Sequence, residues 1–135
     1  MIKLRTTLLT LILILLVSCS SKGSLNTNLL TAMDAKDQKR MALFVERFQN
    51  RKMDYLVAIQ KSVEGTYTIY DVRSDGRAIH VRIDASRDMG GPNTELTCSK
   101  IRFKERNGLN WVRVGNCQGP DGKFDEAGLL SFSKE

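Results

Sequence analysis

Three cysteines, a single histidine and a scatter of carboxylates are the side chains through which this 135-residue chain could do chemistry. Asp71 and His80 are spaced so that two antiparallel strands would set them side by side, and an imidazole oriented by a carboxylate serves as acid or base near neutral pH. No nucleophile accompanies them. The chain lacks a Gly-x-Ser-x-Gly turn, so an exposed cross-strand ion pair is the plainer expectation, with a hydrolase using Asp71 and His80 as the enzymatic alternative. Asp121, Asp125 and Glu126 hint at a calcium loop, but their spacing misses the EF-hand ligand pattern and its closing Glu, and a solvated turn accounts for them. Cys98, Cys117 and a distant His80 fall short of the four ligands of a zinc site. Neither a catalytic set nor a metal or cofactor is expected.

Cys19 closes a different pattern. Lys3 and Arg5 give a positive start, residues 8–17 an apolar run, and small residues follow, which is the build of an export signal. A spanning helix needs roughly 20 apolar residues for about 30 Å of hydrocarbon, and this run ends sooner, at Ser18 and then Ser20, Ser21 and Lys22. Leu16-Val17-Ser18-Cys19 resembles the lipobox of bacterial lipoproteins. The resemblance implies that residues 1–18 are removed as a lipoprotein signal peptide and that Cys19 carries the acyl chains. With Ser20 rather than Asp behind the cysteine, it also implies sorting to the outer membrane, the domain facing the periplasm. Three chains on one residue anchor firmly where one holds only marginally, each buried methylene contributing about 0.8 kcal/mol. An ordinary export signal with Cys19 unmodified is the alternative, and either places the domain outside the cytoplasm.

The whole chain carries a formal charge of +6, with 41% hydrophobic and 27% charged residues, a globular composition with room for one modest domain. Losing Lys3 and Arg5 with the signal leaves +4, too mild in an exported protein to argue a nucleic-acid partner. Residues 19–30 are expected to be a lipidated flexible tether, because the polar run from 20 to 28 buries nothing. Residues 31–135 then form a single domain. In it Thr31 and Asp34 offer N-cap oxygens, and Met41, Phe44, Val45 and Phe48 recur at helical spacing with Lys39, Arg40, Glu46 and Arg47 around them, which predicts a helix over 31–51.

From Tyr55 onward the hydrophobic period changes to two, and turn signals propose a register. A two-residue turn at Asp75-Gly76 pairs Val72 with Ile79, Tyr70 with Val81 and Thr68 with Ile83. Glu64-Gly65 pairs Ile59 with Tyr70 and Val57 with Val72, which leaves Leu56, Ala58, Tyr67 and Ile69 on the opposite face among Asp71, His80, Arg82 and Asp84. That half-apolar face is either covered by later strands or a docking surface. Residues 85–97, around Gly90-Gly91-Pro92, read as a long connection. Asn107-Gly108 then pairs Phe103 with Val112, Ile101 with Val114, Lys104 with Trp111, Arg102 with Arg113, and Cys98 with Cys117. Directly opposed residues have Cα atoms within disulfide range and the periplasm is oxidising, so a Cys98–Cys117 bridge is expected. After a loop at 119–122, Leu129, Leu130 and Phe132 supply a short closing strand. The fold class is α+β: an N-terminal helix packed on a mainly antiparallel sheet of five or six strands, with one disulfide and with a small sandwich as the alternative.

Lys100, Arg102, Lys104 and Arg113 share one face of the second hairpin with Trp111, and like charges opposite one another destabilise a ladder. An anionic partner would relieve the repulsion; a solvated strip with Trp111 over the stem of Lys104 is the alternative. Lipobox, short tether, helix, small sheet and one disulfide together are similar in architecture to the secretin pilotins. That resemblance implies a non-enzymatic outer-membrane lipoprotein that binds, or assists assembly of, another envelope protein, touching the membrane through the lipid on Cys19. The alternatives are an exclusion lipoprotein and a module whose basic strip holds an anionic glycolipid or lipid headgroups.

Overall fold

Chain order begins for description at Thr27, and the computed structural model describes residues 27–87 and 91–133. Cys19 and its lipobox lie outside the described residues. The elements are β1 (Leu29–Leu30), α1 (Ala35–Gln49), β2 (Asp54–Lys61), β3 (Tyr67–Ser74), β4 (Ile79–Asp84), β5 (Asn93–Arg106), β6 (Leu109–Gly119) and β7 (Gly122–Ser133). They form α1 and one seven-stranded sheet in sequential order, parallel between β1 and β2 and antiparallel thereafter. The α+β class holds, but the sheet has seven strands rather than five or six, because Leu29 and Leu30 pair with β2 and the chain after Gly122 is one long strand. Among the described residues no helix is long and apolar enough to cross a membrane.

Of the two N-cap candidates, Asp34 is the one used: its Oδ1 accepts from the Asp37 amide at 2.9 Å, satisfying a donor the helix cannot. Met41, Phe44 and Val45 form the buried stripe of α1. Two charged helix residues are buried with them. Asp37 Oδ2 accepts from the amides of Thr31, Ala32 and Met33, at 2.8 to 2.9 Å, and so folds the chain between β1 and α1 around one carboxylate oxygen. Arg40, expected on the solvated flank, is instead sunk at the junction of α1 and β2. Its guanidinium makes a two-pronged pair with Asp54 at 2.8 and 2.9 Å and also donates to Asn28 Oδ1 and the Tyr55 carbonyl.

Turn chemistry fixed each register. Asn107 and Gly108 both take positive φ, as a two-residue hairpin turn requires, and every pair read from that turn is present. Asp75-Gly76 behaves otherwise. The Asp75 carboxylate accepts from the Arg77 and Ala78 amides, and the Asp75 amide donates to the Ala78 carbonyl, so the loop spans four residues. Val72 consequently faces Val81, Tyr70 faces Ile83, and Arg73 faces His80. A shift of two leaves each side chain on its expected face. Between β2 and β3 the loop is 62–66, closed by hydrogen bonds between Ser62 and Thr66, and the register moves by one: Leu56 faces Val72 and Ala58 faces Tyr70. A one-residue slip turns a strand over, so Leu56 and Ala58 lie in the core and Val57 and Ile59 face outward. The connection before β5 is also shorter than expected, because the strand starts at Asn93.

The long β5–β6 hairpin bends at its middle. Its ladder skips Ser99 and Asn116, and Asn116 takes a φ of 49°, so Cys98 and Ile101 are both buried although three residues apart, as are Val114 and Cys117. The sheet curls round α1 until Gln60 of β2 reaches Ser131 of β7, 3.3 Å away. Leu30, Phe44, Val72, Val81, Val112 and Phe132 meet in the single core so enclosed. Cys98 and Cys117 are bonded within it, their Cα atoms 4.0 Å apart.

Reducing this bridge, or replacing both cysteines with Ala, will lower unfolding free energy by about 2–4 kcal/mol on chain-entropy grounds, measured by urea titration with and without reductant. Asp54→Ala will cost about 3–5 kcal/mol by stranding the buried guanidinium of Arg40. Arg40→Met combined with Asp54→Leu will recover most of that loss in the same titration, because neither charge is then left buried alone.

Candidate functional site

Register places Lys100, Arg102 and Lys104 of β5 on the outer side of the bent hairpin, with Trp111 and Arg113 of β6 opposite Lys104 and Arg102. The compensation for these cations comes from inside the chain. Glu126 of β7 takes Arg102 on Oε1, at 2.6 Å from Nη2 and 3.0 Å from Nε, and lies 3.0 Å from Arg113 Nε through Oε2. The Arg113 contact is within ion-pair range but misaligned for a hydrogen bond, so its attraction is coulombic. The hydrogen bond from Arg102, then the nearby charges of Arg102 and Arg113, hold the Glu126 carboxyl below the usual carboxylate range. Trp111 is half-buried with its ring over Gly128, where Cε3 stands 3.5 Å from the place a Cβ would occupy. The structure thus brings all five residues of the strip together and adds Glu126, which the sequence had offered only as part of a calcium-like turn.

Asp71 and His80, by contrast, are not partners. Arg73 engages Asp71 through two hydrogen bonds of 3.0 Å, and His80 faces Arg73 across the ladder. The imidazole lies between Asp75, with Nε2 3.6 Å from Oδ2, and Thr97, with Nδ1 3.3 Å from Oγ1. Asp75 is held below its ordinary range first by the Ala78 and Arg77 amides and then by His80. A Thr–His–Asp line is a hydrolase constellation only where donors await an oxyanion. Thr97 sits mid-strand, paired to His80 on one side and Gln118 on the other, so its backbone neighbours are committed to the sheet. The depression beside it, about 280 Å³, is shallow and ringed by opposite charges such as Arg82 and Glu95. Among the described residues no cluster of three His, Cys, Asp or Glu could hold a metal ion.

The half-apolar outer face exists, with Tyr67 and Ile69 as expected and Val57 and Ile59 in place of Leu56 and Ala58. Since Leu56 and Ala58 are buried, the outward side of β1–β3 carries Leu29 and the half-buried Val57, Ile59 and Ile69, flanked by Tyr55 and Tyr67 and interspersed with Lys61, Asp71 and Arg73. Leu29 is 49% exposed and Tyr67 46%, and Val63 stands free at the hairpin tip. Each tyrosine has a cation over its ring, Arg73 at 5.4 Å from Tyr55 and Lys61 at 6.0 Å from Tyr67. Asp71 of β3, opposite Val57 and hydrogen-bonded to Arg73, interrupts this face, and beyond β3 the same side continues into the charges of Arg82 and Glu95. No family model matches the chain, and neither a curated protein nor a solved structure is similar enough to match it.

Glu126 carries a testable acid limit. Its carboxyl titrates lower in the folded chain than in the unfolded one, so its contribution is complete above the unfolded value, about 4.3, and is lost as pH falls through the folded value. Glu126→Gln will flatten that part of the stability curve below about pH 4.5 and will make stability at neutral pH rise with added salt, both measured by denaturant titration.

Proposed function

We propose that this chain is a non-enzymatic outer-membrane lipoprotein, acylated at Cys19, whose domain faces the periplasm and binds or assists assembly of another envelope protein. The outward face with Leu29, Tyr55 and Tyr67 exposed and Val57, Ile59 and Ile69 half-buried carries this reading. Apolar surface on a small domain marks an interaction site, and tyrosines around an apolar centre, with the paired charges of Asp71 and Arg73 among them, are the composition of a protein interface. Cation-capped rings hold their orientation before a partner arrives, which lowers the ordering cost of binding. The pilotin-like arrangement of lipobox, tether, helix, sheet and disulfide agrees with the same role. Capture of Arg102 and Arg113 by Glu126 speaks against headgroup binding by the strip as a whole. The Asp75–His80–Thr97 line is exposed and Thr97 is paired on both sides within the sheet, so its backbone offers no oxyanion hole, which speaks against hydrolysis.

A photoreactive residue placed at Tyr67 in cells with intact envelopes tests the reading. The expected result is one protein adduct that persists in high salt, is lost in Ile69→Asp, and is kept in His80→Ala. Adducts only to lipid at Tyr67, or equal adducts from a probe at Lys104, would overturn it.

A further inference from the structure

The bend at Ser99 and Asn116 opens a groove between the hairpin and the last turn of α1, with a volume of about 620 Å³. Volumes of roughly 300–1,000 Å³ are those of small-molecule sites. Phe48, Ile101 and Gly115 supply an apolar floor, and Gly115 adds no side chain to fill it. Lys100, Arg102 and Arg113 stand along the groove, facing Asp125 and Glu126. Three cations against two carboxylates leave an excess positive charge, and its position is resolved by the partners already made. Glu126 takes Arg102 by hydrogen bonds and lies 3.0 Å from Arg113 Nε through Oε2. Among the described residues, the Arg113 Nη groups make no hydrogen bond and the Lys100 ammonium forms no ion pair.

We propose that this groove is a binding site for an amphiphilic anion: one short acyl chain on the Phe48–Ile101 floor, its negative head between Lys100 and Arg113. Glu126 serves here as a positioning residue. It holds Arg113 by the Nε side while the two Nη groups, which can fork onto a carboxylate or phosphate, make no hydrogen bond among the described residues. Shared chemistry covers two sources, a free fatty carboxylate and a single-chain phospholipid, and the site is independent of the outer β1–β3 face.

The test uses the full-length chain in phosphatidylcholine nanodiscs with two photoactivatable probes, a twelve-carbon carboxylate and a lysophosphatidate of the same chain length. Dodecanol bearing the same photoreactive group is the neutral control. The expected result is adduct formation at Phe48 or neighbouring groove residues by at least one anion and not by the alcohol, the stronger anion identifying the source. Lys100→Glu will reduce the yield about five- to tenfold, while Lys123→Glu, the same charge change on an exposed residue outside the groove, leaves it unchanged. Equal labelling by the alcohol, equal loss in both variants, or adducts spread over the surface would refute the site.

Discussion

Arg40 is the residue on which the arrangement turns. Its guanidinium is 6% exposed and its partner Asp54 only 5%, so both ions have left water, at a desolvation cost of several kcal/mol each. Only good geometry offsets such a cost, and it is present here: two bonds to Asp54, one to Asn28 and one to the Tyr55 carbonyl. These partners belong to the start of β2 and to the residue before β1. Three residues earlier on the helix, Asp37 collects three amides from the chain that joins β1 to α1. Rotating the helix to present Met41 and Phe44 differently, or sliding β2 by one residue, would leave a buried charge without its partner. The apolar stripe alone tolerates such shifts; the charges do not.

What the sequence disclosed follows the same division between local and distant forces. Asn107-Gly108 is a turn whose two residues both need positive φ, so its register was legible, and with it the disulfide and the alignment of the basic strip. Asp75 undid the second turn by using its side chain to cap the loop, a choice a dipeptide signal does not reveal. Ser62 and Thr66 undid the first, and because that error was odd it exchanged inside for outside along β2. The apolar face was therefore foreseeable in its β3 members, Tyr67 and Ile69, and not in its β2 members. Arg40 with Asp54 and Glu126 with Arg102 stand 14 and 24 residues apart, where no periodicity links them. Glu126 became visible only once β7 lay against β6, and β7 was hard to see because Asp125, Glu126, Ala127 and Gly128 are poor strand formers.

Charge on the bent hairpin shows how one carboxylate reassigns a surface. Four cations on adjoining strands look like an electrostatic lure when the facing strand is unknown. With Glu126 in place, Arg102 and Arg113 become parts of an internal network, and the positive character that remains lies on Lys104 and, at the bend, on Lys100 beside Arg113. The bend itself comes from two residues that leave the ladder, Ser99 and Asn116, directly beside the Cys98–Cys117 bridge. A bridge at that point pins the strands together where their pairing is interrupted. The groove and the disulfide are two consequences of one irregularity in the hairpin.

The place of β1 gives the outer face its setting. Leu29 is both the first residue of the sheet and a member of the apolar face, and residues 20–28 separate it from Cys19. At about 3.5 Å for each extended residue, that stretch reaches roughly 30 Å at most. If Cys19 is anchored as proposed, the face would be confined to a thin layer above the bilayer. A partner in the same membrane then meets it at a high effective concentration, set by the tether rather than by the volume of the compartment. The face need not be large under those conditions, because avidity arising from confinement supplements what a patch of this size contributes by burial. On the proposed anchoring, a modest apolar surface with pre-oriented tyrosines is sufficient, and the larger apolar area that free association would demand would expose the sheet to aggregation.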